Sequence, residues 1–208
     1  MINKLIIAFV AVVSLSAGLY FSGAFRPEVK IEARVFTPTR PLAPFKLNNQ
    51  FGKPIENSLF ADKWTFIFLG YTHCPDVCPT TLAKLANSYP RLKQTADNSQ
   101  VLFVSVDPKR DNADRLKEYS AYFNEEFIAA SADHGALFPF VRSIGLLYSM
   151  TDDTSKPNYE VGHSGSIVLI NPKGDLHAMF RPKEVLGSIP DIDMKMLEQD
   201  FAALVSQF

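Results

Sequence analysis

Residues 64–82 read WTFIFLGYTHCPDVCPTTL, and the fold turns on how this stretch divides. Trp64 to Tyr71 is an unbroken aromatic and β-branched run, the pattern of a strand buried on both faces of a sheet. Thr80 to Lys93 follows, with Leu82, Leu85 and Leu92 near helical spacing. Between the two stands Cys74-Pro-Asp-Val-Cys78, which holds the only two cysteines of the chain. On a helix this spacing puts both sulfurs on one face, with Cβ atoms roughly 5–6 Å apart. That is near enough to share a metal ion or to close a disulfide.

Cys74 falls at the carboxyl end of a central strand and near a helix amino terminus. Unpaired N–H groups and the helix dipole there stabilise a thiolate, and ligands of open α/β sheets bind at this edge. The plain alternative is a structural disulfide clipping the helix start, although so small a loop gains little chain-entropy stabilisation from cross-linking.

Downstream, Val101 to Val106 is a second buried strand closing on Asp107-Pro108. Asp111 is expected to cap a helix that turns Leu116, Tyr119 and Phe123 inward. A further helix is expected over Gly135 to Tyr148, bent or begun late at Pro139. Thr151 to Asn158 reads as a polar loop. Ser166 to Ile170 and Leu176 to Phe180 flank Asn171-Pro172-Lys173-Gly174, a hairpin signal, and a last helix is expected from about Pro190. Ahead of the first buried strand, Phe45 to Leu47 and Ile55 to Leu59 flank a turn and predict a short hairpin. The order predicts one α/β domain over residues 45–208, a central sheet flanked by helices with an N-terminal hairpin.

Residues 26–44 carry Pro27, Pro38, Pro41 and Pro44 among mixed charges and read as an extended spacer. Leu5 to Phe25 carries no charge, about 21 residues, enough to cross roughly 30 Å of hydrocarbon as a helix. Residues 1–25 are therefore read as a single transmembrane anchor, with a cleaved signal peptide as the alternative. Lys4 ahead of the span favours a cytoplasmic amino terminus and a domain facing the periplasm or an equivalent side. A net charge of -1 with no Lys/Arg tract argues against nucleic-acid binding.

His163, in Val161-Gly162-His163-Ser164-Gly165-Ser166, precedes a predicted strand within a small-residue loop. Alone, such a histidine is simply solvated. In a thioredoxin-like topology, however, this loop faces the helix that bears the cysteines, at the place where thioredoxin-type oxidoreductases carry a cis-proline. No proline occurs between Pro157 and Pro172. Two thiolates and one imidazole make a soft, low-coordinate set that suits Cu(I), whereas structural zinc calls for a fourth ligand. His73 adjoins Cys74 and is poorly placed to supply it. His134 and His177 read as surface residues, and Met150 and Met179 as packing. Asp76, between the cysteines, is a candidate helix cap or a hydrogen-bonding neighbour of the metal. Asp107 caps the turn at Pro108 or orients the site.

At Gly70-Tyr71-Thr72-His73-Cys74-Pro75-Asp76-Val77-Cys78-Pro79, Val104-Ser105-Val106-Asp107-Pro108-Lys109-Arg110-Asp111 and Gly162-His163-Ser164, the chain resembles the Sco/SenC family of membrane-anchored copper proteins. The resemblance covers nearly all of residues 45–208 and implies a thioredoxin-like fold. It further implies one copper, Cu(I) or Cu(II), held by Cys74, Cys78 and His163, with Asp107 as the family's aspartate beside it. The family is implicated in taking copper from an upstream donor protein and delivering it to, or preparing the thiols of, the dinuclear centre of cytochrome c oxidase subunit II. Many relatives carry an acidic residue where this chain has Gly162, which puts any tuning by that side chain in doubt.

The rival function is a thiol-disulfide reductase in which Cys74 attacks and Cys78 resolves. A peroxiredoxin-type peroxidase shares the general fold but needs a proline where Ile67 stands.

Overall fold

The structure, a computed structural model, describes residues 2–24, 30–150, 153–156, 159–183 and 190–208. Two units are distinguished, Met1–Lys30 and Ile31–Phe208. The first holds helix α1 (Ile2–Ala24), whose described apolar side chains from Ile6 to Leu15 are exposed. Among the described residues no helix is long and apolar enough to cross a membrane. The expected end of the anchor at residue 25 lies outside the described residues.

The second unit contains, in order, β1 (Arg34–Pro41), β2 (Leu47–Asn49), β3 (Pro54–Ile55), β4 (Trp64–Gly70), α2 (Val77–Thr95), β5 (Ser99–Ser105), α3 (Ala113–Phe123), β6 (Ile128–Ser131), α4 (His134–Ser143), β7 (Tyr148–Met150), β8 (Val161–His163), β9 (Ile167–Ile170), β10 (Asp175–Phe180) and α5 (Met194–Gln207). An eight-stranded sheet runs β1-β10-β9-β4-β5-β6-β2-β3, and β7 and β8 form a separate pair. The β4, β5 and β6 strands are parallel neighbours, joined through α2 and α3, and β9 lies antiparallel on the other side of β4. This is the expected α/β sheet with flanking helices, and β2 and β3 supply the expected hairpin.

Every residue of β4 and β5 is buried, as continuous apolar runs at the centre of a covered sheet should be. Trp64 and Phe66 meet Phe201 of α5 edge to face, with ring centroids 5.6 and 4.9 Å apart. At the β9–β10 hairpin, Gly174 takes a left-handed φ of 85°. There Asn171 accepts hydrogen bonds from the N–H groups of Lys173 and Asp175, both at 3.0 Å, so the side chain itself closes the turn.

Several local expectations change. The stretch read as a spacer contains β1, paired antiparallel with β10 from Arg34 to Pro41. Pro38 and Pro41 argue against a central strand, but an edge strand pairs on one side only and tolerates them. The helix expected to reach Tyr148 stops at Ser143, where Gly145 at φ 75° turns the chain and Leu146 donates back to the Val141 carbonyl. The last helix begins at Met194, capped by Asp193, because Asp191 is held extended by its bridge to Lys183. Asn112, not Asp111, caps α3 by accepting from the Arg115 N–H at 2.9 Å. Parts of the polar loop over 151–158 lie outside the described residues.

The edge strand is anchored by one buried carboxylate. Asp200 of α5 accepts from the N–H groups of Glu32 at 3.0 Å and Ala33 at 2.7 Å, just ahead of β1. Hydrogen bonds to a charged group are the stronger kind, so Asp200→Ala should lower the unfolding free energy by roughly 2–3 kcal/mol, and Asp200→Asn by less. Urea unfolding of the full chain checks this; an unchanged midpoint for Asp200→Ala would show that β1 does not depend on the contact.

Candidate metal centre

The main sheet's central strand ends at Gly70, and that glycine is required by what lies beside it. A Cβ at position 70 would stand 2.8 Å from Cys78 Sγ and 2.8 Å from the Phe103 ring, closer than real Cβ contacts run. The missing side chain lets a thiol sit directly over the end of β4. Beyond Gly70 the chain turns through Tyr71, Thr72 and His73, and the Cys74 N–H closes the turn onto the Tyr71 carbonyl at 3.2 Å.

Asp111 fixes that turn. Its carboxylate, buried, accepts from the Thr72 N–H at 2.9 Å, the Thr72 hydroxyl at 2.7 Å and the Ser105 hydroxyl at 2.6 Å. Arg115 Nε donates to the same Thr72 hydroxyl at 3.2 Å. His73 turns to this cluster, its Nδ1 3.1 Å from Thr72 Oγ1, and does not join the donors grouped at the cysteines.

Cys74 lies in the turn ahead of α2, and Cys78 in the helix's first turn, which begins at Val77 rather than at Thr80. The two thiols are free and unequally placed, Cys74 half-buried and Cys78 fully buried. Cys74 is lowered to about 4, chiefly because Cys78 hydrogen-bonds to it, with further help from His163 and the N–H groups of Asp76 and Cys78. Cys78 is pushed up by the same bond and by burial. The pair therefore stands as one thiolate and one thiol donor, with the open amides of a helix start around the anion.

His163 closes the group. It is the last residue of β8, opposite Tyr148 of β7. Its Nε2 is 3.3 Å from Cys78 Sγ, while Nδ1 is 3.2 Å from the Ser164 carbonyl. The Ser164 carbonyl only accepts, so a proton on Nδ1 would turn the Nε2 lone pair to the sulfurs, whereas a proton on Nε2 would donate to them. Phe68 and Tyr71 hold the imidazole edge-on at 6.2 and 6.0 Å. The ligand atoms of Cys74, Cys78 and His163 all lie within 4.8 Å of one another, and no other such group occurs among the described residues. Cys74 and His163 open into a cleft of about 280 Å³ lined also by Tyr71, Pro75, Asp76 and Glu160, with Cys78 enclosed behind them.

The other expected residues fall as follows. Asp76 stands at the helix start but makes no side-chain cap bond; it is exposed and takes a hydrogen bond from the Thr80 hydroxyl at 3.4 Å. Asp107 is fully buried and accepts from Tyr159 and Arg110. His134 is exposed, as expected, with Nδ1 2.9 Å from the Tyr148 hydroxyl. His177 is not a surface residue: it is half-buried against Trp64 and Phe208, and burial holds its imidazole below the usual range. Met179 is buried and Met150 packs against the core. Gly70, Thr72, Arg110 and Tyr159 were not singled out by sequence reasoning, and Asp111 was read only as a helix cap. A glycine ending a buried strand was the one local signal available for any of them.

The SCO1/SenC family model matches residues 37–193. The mitochondrial SCO1 homolog 1 of Arabidopsis thaliana is 30% identical over 157 residues, covering 75% of this chain and 47% of that protein. A SCO2-like protein of Rickettsia prowazekii is 31% identical over 153 residues, 66% of this chain and 75% of the relative. Among solved structures, Arabidopsis thaliana ScoI with copper bound superimposes with a TM-score of 0.70 at 27% identity, covering 80% of this chain and 99% of that one. With the family model spanning most of the sheet and both halves of the site, this chain belongs to the SCO1/SenC family.

Proposed function

We propose that this chain is a membrane-anchored metallochaperone that carries one copper ion on Cys74, Cys78 and His163. The observation that carries the reading is the convergence of two sulfurs and one imidazole nitrogen within 4.8 Å at the open end of the sheet. Three soft donors without a fourth suit three-coordinate Cu(I) better than structural zinc. Cys74 offers a ready thiolate, Cys78 gives up its proton on binding, and His163 would ligate through Nε2 in the tautomer that leaves that nitrogen free. Cys74 and His163 face the cleft, where an incoming ligand of a partner can replace them one at a time.

The family, and the copper held by the Arabidopsis relative, support copper as the cargo. The acceptor is read as cytochrome c oxidase subunit II and the donor as a separate protein from the resemblance of the cysteine, Asp107 and His163 motifs to the Sco/SenC family. The run of exposed apolar side chains on α1 supports an anchor in the inner membrane, with the domain in the periplasm or the equivalent mitochondrial space. The unequal thiols favour a second reading as well. A thiolate beside a thiol is equipped to reduce a partner's disulfide, which would ready the acceptor's cysteines for metal.

Anaerobic titration of Cu(I) into the reduced full chain against a chelator should find one tight copper. Cys74→Ser should abolish it and His163→Ala should weaken it at least roughly tenfold. Copper affinity untouched by both substitutions would refute the three-ligand site. The ionisation of Cys74 has its own check in the metal-free protein. With the thiol held near 4 rather than its ordinary 9.0, alkylation by iodoacetamide should be flat with pH above about 6 and fall below about 5. A normal thiol would instead gain about tenfold per pH unit up to its pKa; such a slope would remove the thiolate.

A further inference from the structure

The cysteines and the histidine are held by different parts of the fold. Cys74 and Cys78 follow β4 directly, whereas His163 ends β8, which pairs with β7 and not with the main sheet. A donor on such a hairpin needs other contacts to keep its place over the sulfurs.

Those contacts come from the segment after β5. Asp107 is fully buried, with its N–H on the Ser105 hydroxyl at 3.1 Å. One carboxylate oxygen accepts from Arg110 Nε and the other from the Tyr159 hydroxyl. The Arg110 guanidinium carbon lies 3.5 Å from the centre of the Tyr159 ring and 5.5 Å from that of Tyr71. Tyr159 stands just ahead of β8. Tyr71 takes a hydrogen bond from the Val161 N–H within β8 and faces the His163 imidazole. One aspartate and one guanidinium thus tie the hairpin at two points to the frame that bears the cysteines.

We propose that Asp107, Arg110 and Tyr159 form a clamp that positions His163 over the two sulfurs, so that the clamp sets how firmly the third ligand is held. A buried ion pair adds little net stability by itself, since desolvation offsets its attraction. The planar fork of arginine, stacked on one tyrosine while donating to the aspartate, fixes orientation instead. The consequence for metal retention rests on the copper reading above; the positioning of His163 does not.

Tyr159→Phe keeps the ring and removes only the donor to Asp107. In the copper-free full chain, amide hydrogen exchange at residues 161–164 should speed up while amides of β4 and β5 keep their protection. Arg110→Lys, which keeps the charge and loses the stack, should do the same. In the copper-loaded chain, Tyr159→Phe should weaken retention against a chelator by roughly 10- to 100-fold and alter the copper spectrum. Added to His163→Ala it should cost nothing more, because its effect runs through that imidazole. Unchanged exchange at 161–164, or an equal loss in the His163→Ala background, would overturn the clamp. If the wild type binds no copper, the proposed cargo fails, and the exchange measurement still decides the clamp.

Discussion

The site depends on a buried carboxylate. Asp111 lies where ionised oxygen is costly to desolvate, and it is kept there by three short hydrogen bonds from Thr72 and Ser105. Those donors come from the ends of adjacent parallel strands, so one side chain pins the exit of β4 to the exit of β5. The exit of β4 leads into the turn that presents Cys74. Because the bond to the Thr72 N–H is a backbone contact, it sets the path of the chain as well as a rotamer. Gly70 completes the constraint, since only its bare Cα leaves room for Cys78 Sγ over the strand end.

Geometry then divides the two cysteines chemically. They differ by a few residues in sequence, yet Cys74 meets the open amides of a helix start while Cys78 is enclosed. A proton shared between close sulfurs settles on the buried one, because an anion there would lie next to another anion in a poorly solvated place. The bond from Cys78 therefore stabilises the thiolate of Cys74. A pair arranged in this way can take a soft cation at Cys74 without first losing a proton there. It is also poised for exchange with a disulfide, so metal and redox chemistry draw on the same asymmetry.

How far this was legible in the sequence follows from where the information resides. The β4 and β5 strands and the β9–β10 hairpin were readable because continuous burial and the Asn-Pro-Lys-Gly turn are local signatures. The β1 and β6 strands were not. One carries two prolines and the other reads Ile-Ala-Ala-Ser, and each is a strand only because a neighbour pairs with it. The three clustered donors could be picked out by residue type and topology. Asp111 could not, since an aspartate just ahead of a helix looks like a cap. Its real partner, Thr72, stands 39 positions away. Asp107 was suspected for its place at the sheet edge, but Tyr159 and Arg110, which give it a task, meet only in the fold.

The remaining feature to account for is why the donors are split between a frame and a hairpin. Three ligands on one rigid element would bind well and release poorly, because losing any of them would leave the other two in place. In this chain the two sulfurs share the turn and helix start that Asp111 fixes, and the imidazole arrives on a two-stranded pair outside the main ladder. On the copper reading, displacement of that pair would lower the coordination number while leaving the cysteines in their turn and helix start. The wall between the two parts is made of side chains, Tyr71, Arg110 and Tyr159, rather than of backbone pairing. Side-chain contacts can be loosened by a docking partner at less cost than a strand ladder can be broken. On the proposed copper reading, a site built this way would hold its cargo in isolation and surrender it on contact.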